Sequence, residues 1–426
     1  MIWSLNWIIL GITGLVSFAF IVSLFNAQLL ANLTIFLYYL RPTEKGDYPY
    51  PIILVGLIIA IFVLMFHKKP YNALKNRDRS DTKLFLIMQL YLLFNILLFN
   101  RWNLQELYMN YILPAVILYF LISEYIVSIK QIKIALLAIG TASLIICGDA
   151  VYVHFMYSPS TPIWQLYHFG DDYRLISIGW WNNPNALGYF SNIGLLSLFV
   201  IFTLSTTYKR YLYLVPCIVF LPTLFLTGSR GALLQLCISG FILFIREKKS
   251  AGKTILIAGI VFVIASYVTV LSPHREHAEG SKLERIDILY FAKDVFKAHP
   301  VFGVGFRMFP EYNPYGLVTH NIYAQLLSEL GIVGTLLFFL MSKKMFKEVF
   351  LIGRYTIDKS EYSDMHKLSK GIFAISVGAF VYYFFGNALL DYVCCTILGL
   401  MVSVKRAYEL ESDEVFVQKE KTKYSY

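Results

Sequence analysis

Charged residues are scarce in this chain. They make up only 15% of its 426 residues, whereas hydrophobic residues make up 57%. Soluble domains carry charge on about a quarter of their residues, so this composition excludes a disordered chain and a typical cytosolic enzyme. The chain is long enough for about a dozen bilayer crossings of roughly 20 residues each. We therefore expect a polytopic membrane protein.

Cysteine is also rare, and several common catalytic motifs are missing. The five cysteines fall inside apolar stretches without a CxxC pair, so we interpret them as packing residues. The chain has no DxD motif, no P-loop and no GxSxG elbow, which argues against a metal–nucleotide-sugar transferase, an NTPase and a serine hydrolase. His274 and His277 have HxxH spacing but lack suitable partners. The sequence therefore predicts no metal site and no cofactor.

Apolar runs of roughly spanning length recur along the whole chain and predict an all-α fold of about twelve transmembrane helices. The runs lie near Trp7–Phe25, Ile52–Phe66, Leu84–Leu98, Tyr111–Val127, Ile134–Tyr152, Leu187–Leu204, Leu212–Leu226, Ala232–Ile245, Ile255–Leu271, Ile322–Met341, Ile372–Phe385 and Tyr392–Val404. A shorter run, Leu29–Leu40, could be a further span or a re-entrant segment. We expect residues 1–426 to form one membrane domain, with the first run retained because it lacks a basic n-region and a cleavage site.

Basic residues are divided unequally between alternate loops. One set of loops, which includes the tail 405–426, holds 26 of the 37 Lys and Arg residues. The positive-inside rule places this set, and hence both termini, in the cytoplasm. We therefore attribute the net charge of +10 to cytoplasmic loops and not to binding of nucleic acid.

Two extracytoplasmic segments, 153–185 and 272–319, are longer than a connection between helices requires. The second contains LERIDILYFAKDVFKAHP, which predicts an amphipathic helix lying at the membrane surface. Four apolar residues would lie on roughly one face of this helix: Leu283, Ile286, Leu289 and Val295. Long charged loops outside a helical bundle are where we expect a functional site.

The sequence TGSRG at residues 227–231 joins two apolar runs with almost no loop. An arginine at the end of a membrane helix either snorkels to the interface or faces a polar cavity and binds an anion. The flanking glycines permit a close backbone approach, and the next helix begins here with free N–H groups and a positive dipole end. Both interpretations of Arg230 stay open at this point.

His320 and Asn321 begin the apolar run HNIYAQLLSELGIVG. A histidine at a helix end can move protons near neutral pH, although it can also cap the helix or lie at the interface. Glu329 is the acidic residue of this run, and it faces either the bundle interior or the opposite interface.

Arg174 and Arg285 lie in the two long extracytoplasmic segments. A single loop arginine is usually solvated, but several arginines and one histidine on one membrane face suit a lipid-linked diphosphate. Guanidinium groups would bind the phosphates in a bidentate manner, and the imidazole would accept the proton of an incoming hydroxyl. Asn185 follows an Asn-Pro turn, and it could instead be the N-cap of the next helix.

Three blocks of the sequence resemble the O-antigen ligase and O-antigen/capsule polymerase superfamily. The first is GWWNNPNALGYF with Arg174 upstream, and the second is LTGSRGALL. The third is Arg285, followed fifteen residues later by a proline within HPVFGVGFRMFPEY, and then HNIYAQLLSELGIVG. The resemblance covers roughly residues 170–340. It departs from the family at Leu289, where a tryptophan is frequent.

The resemblance implies a GT-C-like membrane glycosyltransferase of the bacterial plasma membrane, with its site at the outer face. The donor would be a glycan on undecaprenyl diphosphate, and the reaction would need no metal. Arg230 and Arg285 would bind the diphosphate and stabilise the leaving phosphate, and His320 would be the base. Four further residues would bind or orient substrates: Arg174, Asn185, Ser229 and Asn321.

Three functions fit these expectations. The leading one is a polymerase that adds lipid-linked repeat units to a surface polysaccharide, such as O-antigen, capsule or exopolysaccharide. A ligase that transfers the glycan to lipid A core, a wall polymer or a protein would use the same residues. A lipid-linked-glycan flippase fits less well, because transporters place charges deep in their spans and often contain repeated halves. A chain-length regulator and a flippase could act as partners of the polymerase.

Overall fold

The computed structural model describes residues 27–40, 78–100, 102, 112–169, 173–177, 182–244, 278–386 and 389–423. In this part of the chain the regular structure is almost entirely α-helical, and five helices are long and apolar enough to cross a membrane. The prediction of an all-α, polytopic membrane protein is confirmed to this extent. Three predicted spans lie outside the described residues: Trp7–Phe25, Ile52–Phe66 and Ile255–Leu271. The total of about twelve spans stays a prediction.

Twelve α-helices and one small β-hairpin succeed one another along the described chain. The helices are α1 Ala27–Leu40, α2 Ser80–Phe99, α3 Leu113–Tyr125, α4 Ile129–Met156, α5 Pro162–Gln165, α6 Pro184–Leu204, α7 Cys217–Thr227, α8 Arg230–Phe244, α9 Ala278–Ala298, α10 Ile322–Thr356, α11 Ser363–Tyr382 and α12 Tyr392–Lys423. The strands β1 His168–Phe169 and β2 Arg174–Leu175 pair antiparallel. Three 3₁₀ helices complete the described structure: Tyr208–Leu214, Phe309–Tyr312 and Ser360–Tyr362.

Several helix boundaries differ from those of the apolar runs. The run predicted at Leu212–Leu226 is a 3₁₀ helix followed by α7, which begins only after Pro216. α10 continues far beyond the predicted Met341, because the charged sequence that follows is still compatible with an exposed helix. α11 ends at Tyr382, so the last three residues of the predicted run form a turn.

Helix α6 lies in the centre of the bundle and packs against α4, α7, α8 and α11. Small residues allow these close contacts, as is common between membrane helices. A methyl group at Gly194 of α6 would lie only 2.4 Å from the Cβ atom of Ser143 in α4. Larger residues would therefore push α4 and α6 apart.

The long segment 272–319 contains the expected helix, and Val295 of its predicted apolar face is buried in the described structure. In α9, Ile286 and Leu289 are exposed, whereas Ile288, Ala292 and Val295 are buried. These three residues recur at i, i+4 and i+7, which is a helical stripe shifted from the predicted one. They pack against Val304 and Phe309 of the segment that follows, so this stripe of α9 is covered by its own loop.

The helices alternate in direction and give the bundle two ends. At the first, which we call the arginine end, α6, α8, α10 and α12 begin and α7 and α11 end. At the second, the ion-pair end, α2 and α4 begin and α3 ends. The described parts of the loops predicted to be cytoplasmic gather at the ion-pair end, where Lys133 approaches Asp364 and Lys344 approaches Asp78.

Buried charges at the ion-pair end are matched with opposite charges. The guanidinium of Arg406 lies 3.1 Å from the carboxylate of Glu124, and both side chains are fully buried. Arg79 reaches the same carboxylate, and Lys405 lies 3.6 Å from Asp81. Removing one member of such a pair leaves an uncompensated buried charge, so this network joins α2, α3 and α12 tightly.

Candidate active site

Arg230 is the first residue of α8, at the arginine end. α7 ends at Thr227, and Gly228 takes the left-handed conformation with φ 57° that ends many helices. Ser229 is buried, and its hydroxyl accepts a hydrogen bond of 3.4 Å from the Ala232 N–H, so it caps α8. The Arg230 side chain is exposed and makes no hydrogen bond or ion pair with any described residue. An arginine beside the positive end of a helix is suited to bind an anion.

Arg174 and Asn185 meet at the same turn. Arg174 Nε donates a hydrogen bond of 2.8 Å to the carbonyl oxygen of Thr227, and its Nη2 donates one of 3.2 Å to Asn185 Oδ1. The N-cap of α6 is Asn183, whose side chain accepts from the N–H groups of Asn185 and Ala186. The alternative interpretation of Asn185 as the N-cap is therefore wrong, and its side chain instead holds Arg174.

The β-hairpin positions Arg174 from the other side. Arg174 is paired with Phe169 across the hairpin, and His168 stacks on Trp164 with ring centroids 3.4 Å apart. Burial lowers the pKa of His168, which favours the neutral ring at neutral pH. Its Nε2 lies 2.8 Å from Nδ1 of His154, so the hairpin is tied to the end of α4.

His320 precedes α10 with a strained backbone. Its φ is +50°, a conformation that few residues other than glycine adopt and that is frequent at functional sites. Asn321 is the N-cap of α10, because its side chain accepts hydrogen bonds from the N–H groups of Tyr323 and Ala324 at 2.9 and 3.0 Å. The hydroxyl of Thr319 donates to the carbonyl oxygen of Asn321. These contacts fix the backbone on both sides of His320.

A turn after α11, which we call the hub turn (Tyr382–Phe385), brings these parts together. The N–H of Ile322 donates to the carbonyl oxygen of Tyr383 at 2.9 Å, and Asn321 Nδ2 donates to that of Phe384 at 3.3 Å. On the other side, a methyl group at Gly231 would lie 2.9 Å from Phe385 Cβ. Residues adjacent to His320 and to Arg230 thus contact one four-residue turn.

Arg285 of α9 acts on the same turn through its charge. The charges of Arg285 and Arg174 both act on Tyr382, together with the opposite charge of Asp391. Arg285 is half-buried, and it makes no hydrogen bond or ion pair with a residue of the described ranges. The hub turn was missed in the sequence, because its aromatic residues ended a predicted span. The sequence feature that could have indicated this turn is the change from small residues to the four aromatic residues YYFF at the end of the predicted span.

The arginine end therefore gathers the predicted site residues around the hub turn. Arg230 and Arg285 carry guanidinium groups that make no ion pair with a described residue, and His320 lies in the strained segment that contacts the hub turn through Asn321 and Ile322. Ser229 and Asn321 cap helices, and Asn185 holds Arg174, so their contacts favour positioning of the site over direct binding. Among the described residues, His, Cys, Asp and Glu do not form a group of three that could hold a metal ion. The roles of all seven residues stay predictions.

Comparison with known families adds to this geometry. Residues 215–339 match the family model of O-antigen ligase. This segment of the chain is thus similar to the O-antigen ligase family. The matched O-antigen ligase region contains Ser229, Arg230, Arg285, His320 and Asn321, whereas Arg174 and Asn185 lie before it. The resemblance inferred from the motifs is confirmed. No significant match was found among curated proteins.

Proposed function

We propose that this protein is a membrane glycosyltransferase that uses a glycan linked to undecaprenyl diphosphate and polymerises repeat units of a surface polysaccharide. The observation that carries the proposal is that the residues next to Arg230 and His320 both contact the hub turn, and that the charge of Arg285 acts on it, within the region that matches O-antigen ligase. Arginine binds diphosphate through its planar fork of donors, and histidine moves protons near neutral pH.

The arrangement of charge supports the binding of a diphosphate. The exposed Arg230 guanidinium lies at the N-terminus of α8, where the dipole and free N–H groups also attract an anion. Arg285 would approach the phosphates from α9. Arg174 is already hydrogen-bonded to Thr227 and Asn185, so we assign it to holding the 227–230 turn in place.

The proposed reaction is a substitution at the anomeric carbon of the donor. The acceptor hydroxyl oxygen forms a bond to this carbon, the bond from the carbon to the diphosphate oxygen breaks, and the undecaprenyl diphosphate leaves with the electron pair. His320 takes the proton of the hydroxyl. Arg230 and Arg285 stabilise the negative charge that develops on the leaving diphosphate.

The distribution of basic residues supports an orientation for this reaction. We propose that the ion-pair end faces the cytoplasm of a bacterial inner membrane with both termini, and that the arginine end faces outward. The lipid tail of the donor would then stay in the bilayer while its diphosphate reaches the site.

The experiment is transfer by the purified full-length protein, reconstituted with a polyprenyl-diphosphate-linked repeat unit. We expect lipid-linked products that contain several units. If the wild-type protein consumes no lipid-linked donor with any acceptor supplied, the proposal is wrong.

A ligase is the second candidate, because the matching family model is described as O-antigen ligase. It would use the same donor and residues but transfer the glycan to a different acceptor, such as lipid A core, a wall polymer or a protein. The same assay distinguishes them. A polymerase extends the donor in the absence of another acceptor, whereas a ligase forms product only when that acceptor is added.

A further inference from the structure

The segment 300–307, which connects α9 toward α10, lies against a break in α10. Gly331 has φ 63° and ψ −166°, so the helix is interrupted there. The segment supplies hydrogen bonds to the backbone groups on both sides of the break. Val304 N–H donates to the Ser328 carbonyl oxygen at 2.9 Å, and Ile332 N–H donates to that of Pro300 at 2.9 Å. Backbone groups at membrane depth need such partners.

Two glycines make this close approach feasible. A methyl group at Gly303 would lie 2.3 Å from the backbone carbon of Glu329, and one at Gly331 would lie 2.3 Å from the carbonyl oxygen of Val301. Both residues also have positive φ. The segment and the break in α10 therefore fit together without space for a side chain between them.

Glu329 is at the centre of this contact. Its carboxylate is buried, and one oxygen, Oε2, accepts hydrogen bonds of 2.8 Å from the Arg307 N–H and from Gln325 Nε2. The N–H of Phe309 also hydrogen-bonds to the carboxylate. An ionisable residue buried in a membrane bundle requires such partners. Here two of the three donors are backbone N–H groups, one at the last residue of the docked segment and one just after it.

The other side of the segment is joined to α2 and α9. Asn95 of α2 donates to the Phe302 carbonyl oxygen at 2.9 Å and accepts from the Phe306 N–H at 2.8 Å. The side chain of Val304 packs against Ile288 and Ala292 of α9. Val304 thus contacts α9 through its side chain and α10 through its backbone.

We propose that Glu329 is a positioning residue of the site, which holds the segment 300–307 and thereby sets Arg285 of α9 relative to His320 before α10. Arg285 lies one helical turn before Ile288, and His320 lies nine residues before Glu329 on α10. The inference rests on the proposed glycan transfer, because its effect is measured in that reaction.

The first test is a series at Glu329 in the purified full-length protein. Glu329→Ala removes the acceptor and should lower kcat by about 100-fold with little change in KM, because small displacements of catalytic groups cost that much. Glu329→Gln keeps one acceptor oxygen, so it should recover about tenfold of the loss, since hydrogen bonds to uncharged acceptors are weaker. Glu348→Ala is the control, because Glu348 is on the same helix near the ion-pair end and pairs with Lys344.

The second test perturbs the segment from the opposite side and does not alter Glu329. Gly303→Ala places a methyl group against the Glu329 backbone, whereas Gly316→Ala has the same positive φ but meets no atom within 4 Å. Gly303→Ala should lower kcat by about 100-fold, and Gly316→Ala should leave it near that of wild type. This pair separates the close contact from backbone strain, which both variants share.

A double-mutant cycle tests whether the effect passes through Arg285. Gly303→Ala combined with Arg285→Lys should lose less activity than the product of the two single effects, because both disturb one arginine. Independent effects that multiply would instead indicate a merely structural role and overturn the inference. Equal activity of Glu329→Ala, Gly303→Ala and wild type would also overturn it while leaving the proposed function intact. A wild-type protein that transfers no glycan would overturn both.

Discussion

Charged side chains have opposite environments at the two ends of the helical bundle. At the ion-pair end, Arg406 and Glu124 are fully buried 3.1 Å apart, and Lys405 approaches Asp81. At the arginine end, Arg230 is exposed and described residues do not neutralise it. Compensated buried charge joins helices, whereas an uncompensated cation at a helix N-terminus is available to an anionic ligand. The comparison separates residues expected to maintain the fold from those expected to perform the reaction.

The largest expected effect is on catalysis at the arginine end. His320→Ala should lower glycan transfer by at least about 100-fold, because general base catalysis contributes that much. Arg230→Ala should also abolish most of the transfer, since it removes charge stabilisation of the leaving diphosphate. The Arg230→Ala protein should also accumulate in membranes and melt like wild type, because Arg230 is exposed and its removal leaves no buried partner. Normal polysaccharide length and amount in cells that express either variant would contradict the catalytic assignment.

Replacing an arginine by alanine at the ion-pair end should reduce the stability of the protein and not its activity. Arg406→Ala leaves the buried Glu124 carboxylate with less compensation, so it should destabilise the folded protein by about 3–5 kcal/mol. Thermal unfolding in detergent measures this loss. The fraction that stays folded should transfer glycan at the rate of wild type. A stable Arg406→Ala protein without activity would mean that the two ends do not divide the roles in this way.

A smaller contrast separates two asparagines at the start of α6. Asn183→Ala removes the N-cap and should cost about 1 kcal/mol of stability. Asn185→Ala releases Arg174 and should lower transfer more than it lowers the unfolding temperature. The two variants differ in position by only two residues, so each serves as the control for the other. Equal losses of stability and activity in both would remove the distinction.

The smallest expected effect is that of a chelator. If Arg230 and Arg285 supply the charge that neutralises the diphosphate, EDTA should leave transfer by the purified protein unchanged. Inhibition by EDTA that is reversed by a divalent ion would show that a metal shares this task. Inhibition that added ions do not reverse would instead indicate an effect on the lipid or detergent.

Candidate site residues could be chosen from the sequence by their chemical type, but their contacts could not be predicted. Arg230 and His320 were chosen as candidate site residues because each lies at the end of an apolar run. A charged or titratable residue at such a position either lies at the membrane interface or takes part in a polar site. The hub turn was not recognised, because Tyr382–Phe385 is as hydrophobic as the span before it, and only the folded chain shows that its carbonyl groups bind the start of α10. The covering of Ile288, Ala292 and Val295 by Val304 and Phe309 could not be predicted either, because these two residues lie later in the chain.

Glu329 illustrates the same limit. The sequence left its side chain facing either the bundle interior or the opposite interface, and the structure buries it against the Arg307 N–H. The break at Gly331 that makes room for this contact depends on a segment about thirty residues earlier, which helix propensity does not reveal.

The most direct test of the central claim is the transfer rate of Arg230→Lys beside that of wild type, with both proteins purified and supplied with the same lipid-linked donor. Lysine keeps the positive charge but cannot form the bidentate hydrogen bonds of the guanidinium. The account predicts a loss of at least about tenfold, because hydrogen bonds between charged groups contribute about 1.5–3 kcal/mol each. A rate equal to that of wild type would contradict bidentate recognition of the diphosphate by Arg230.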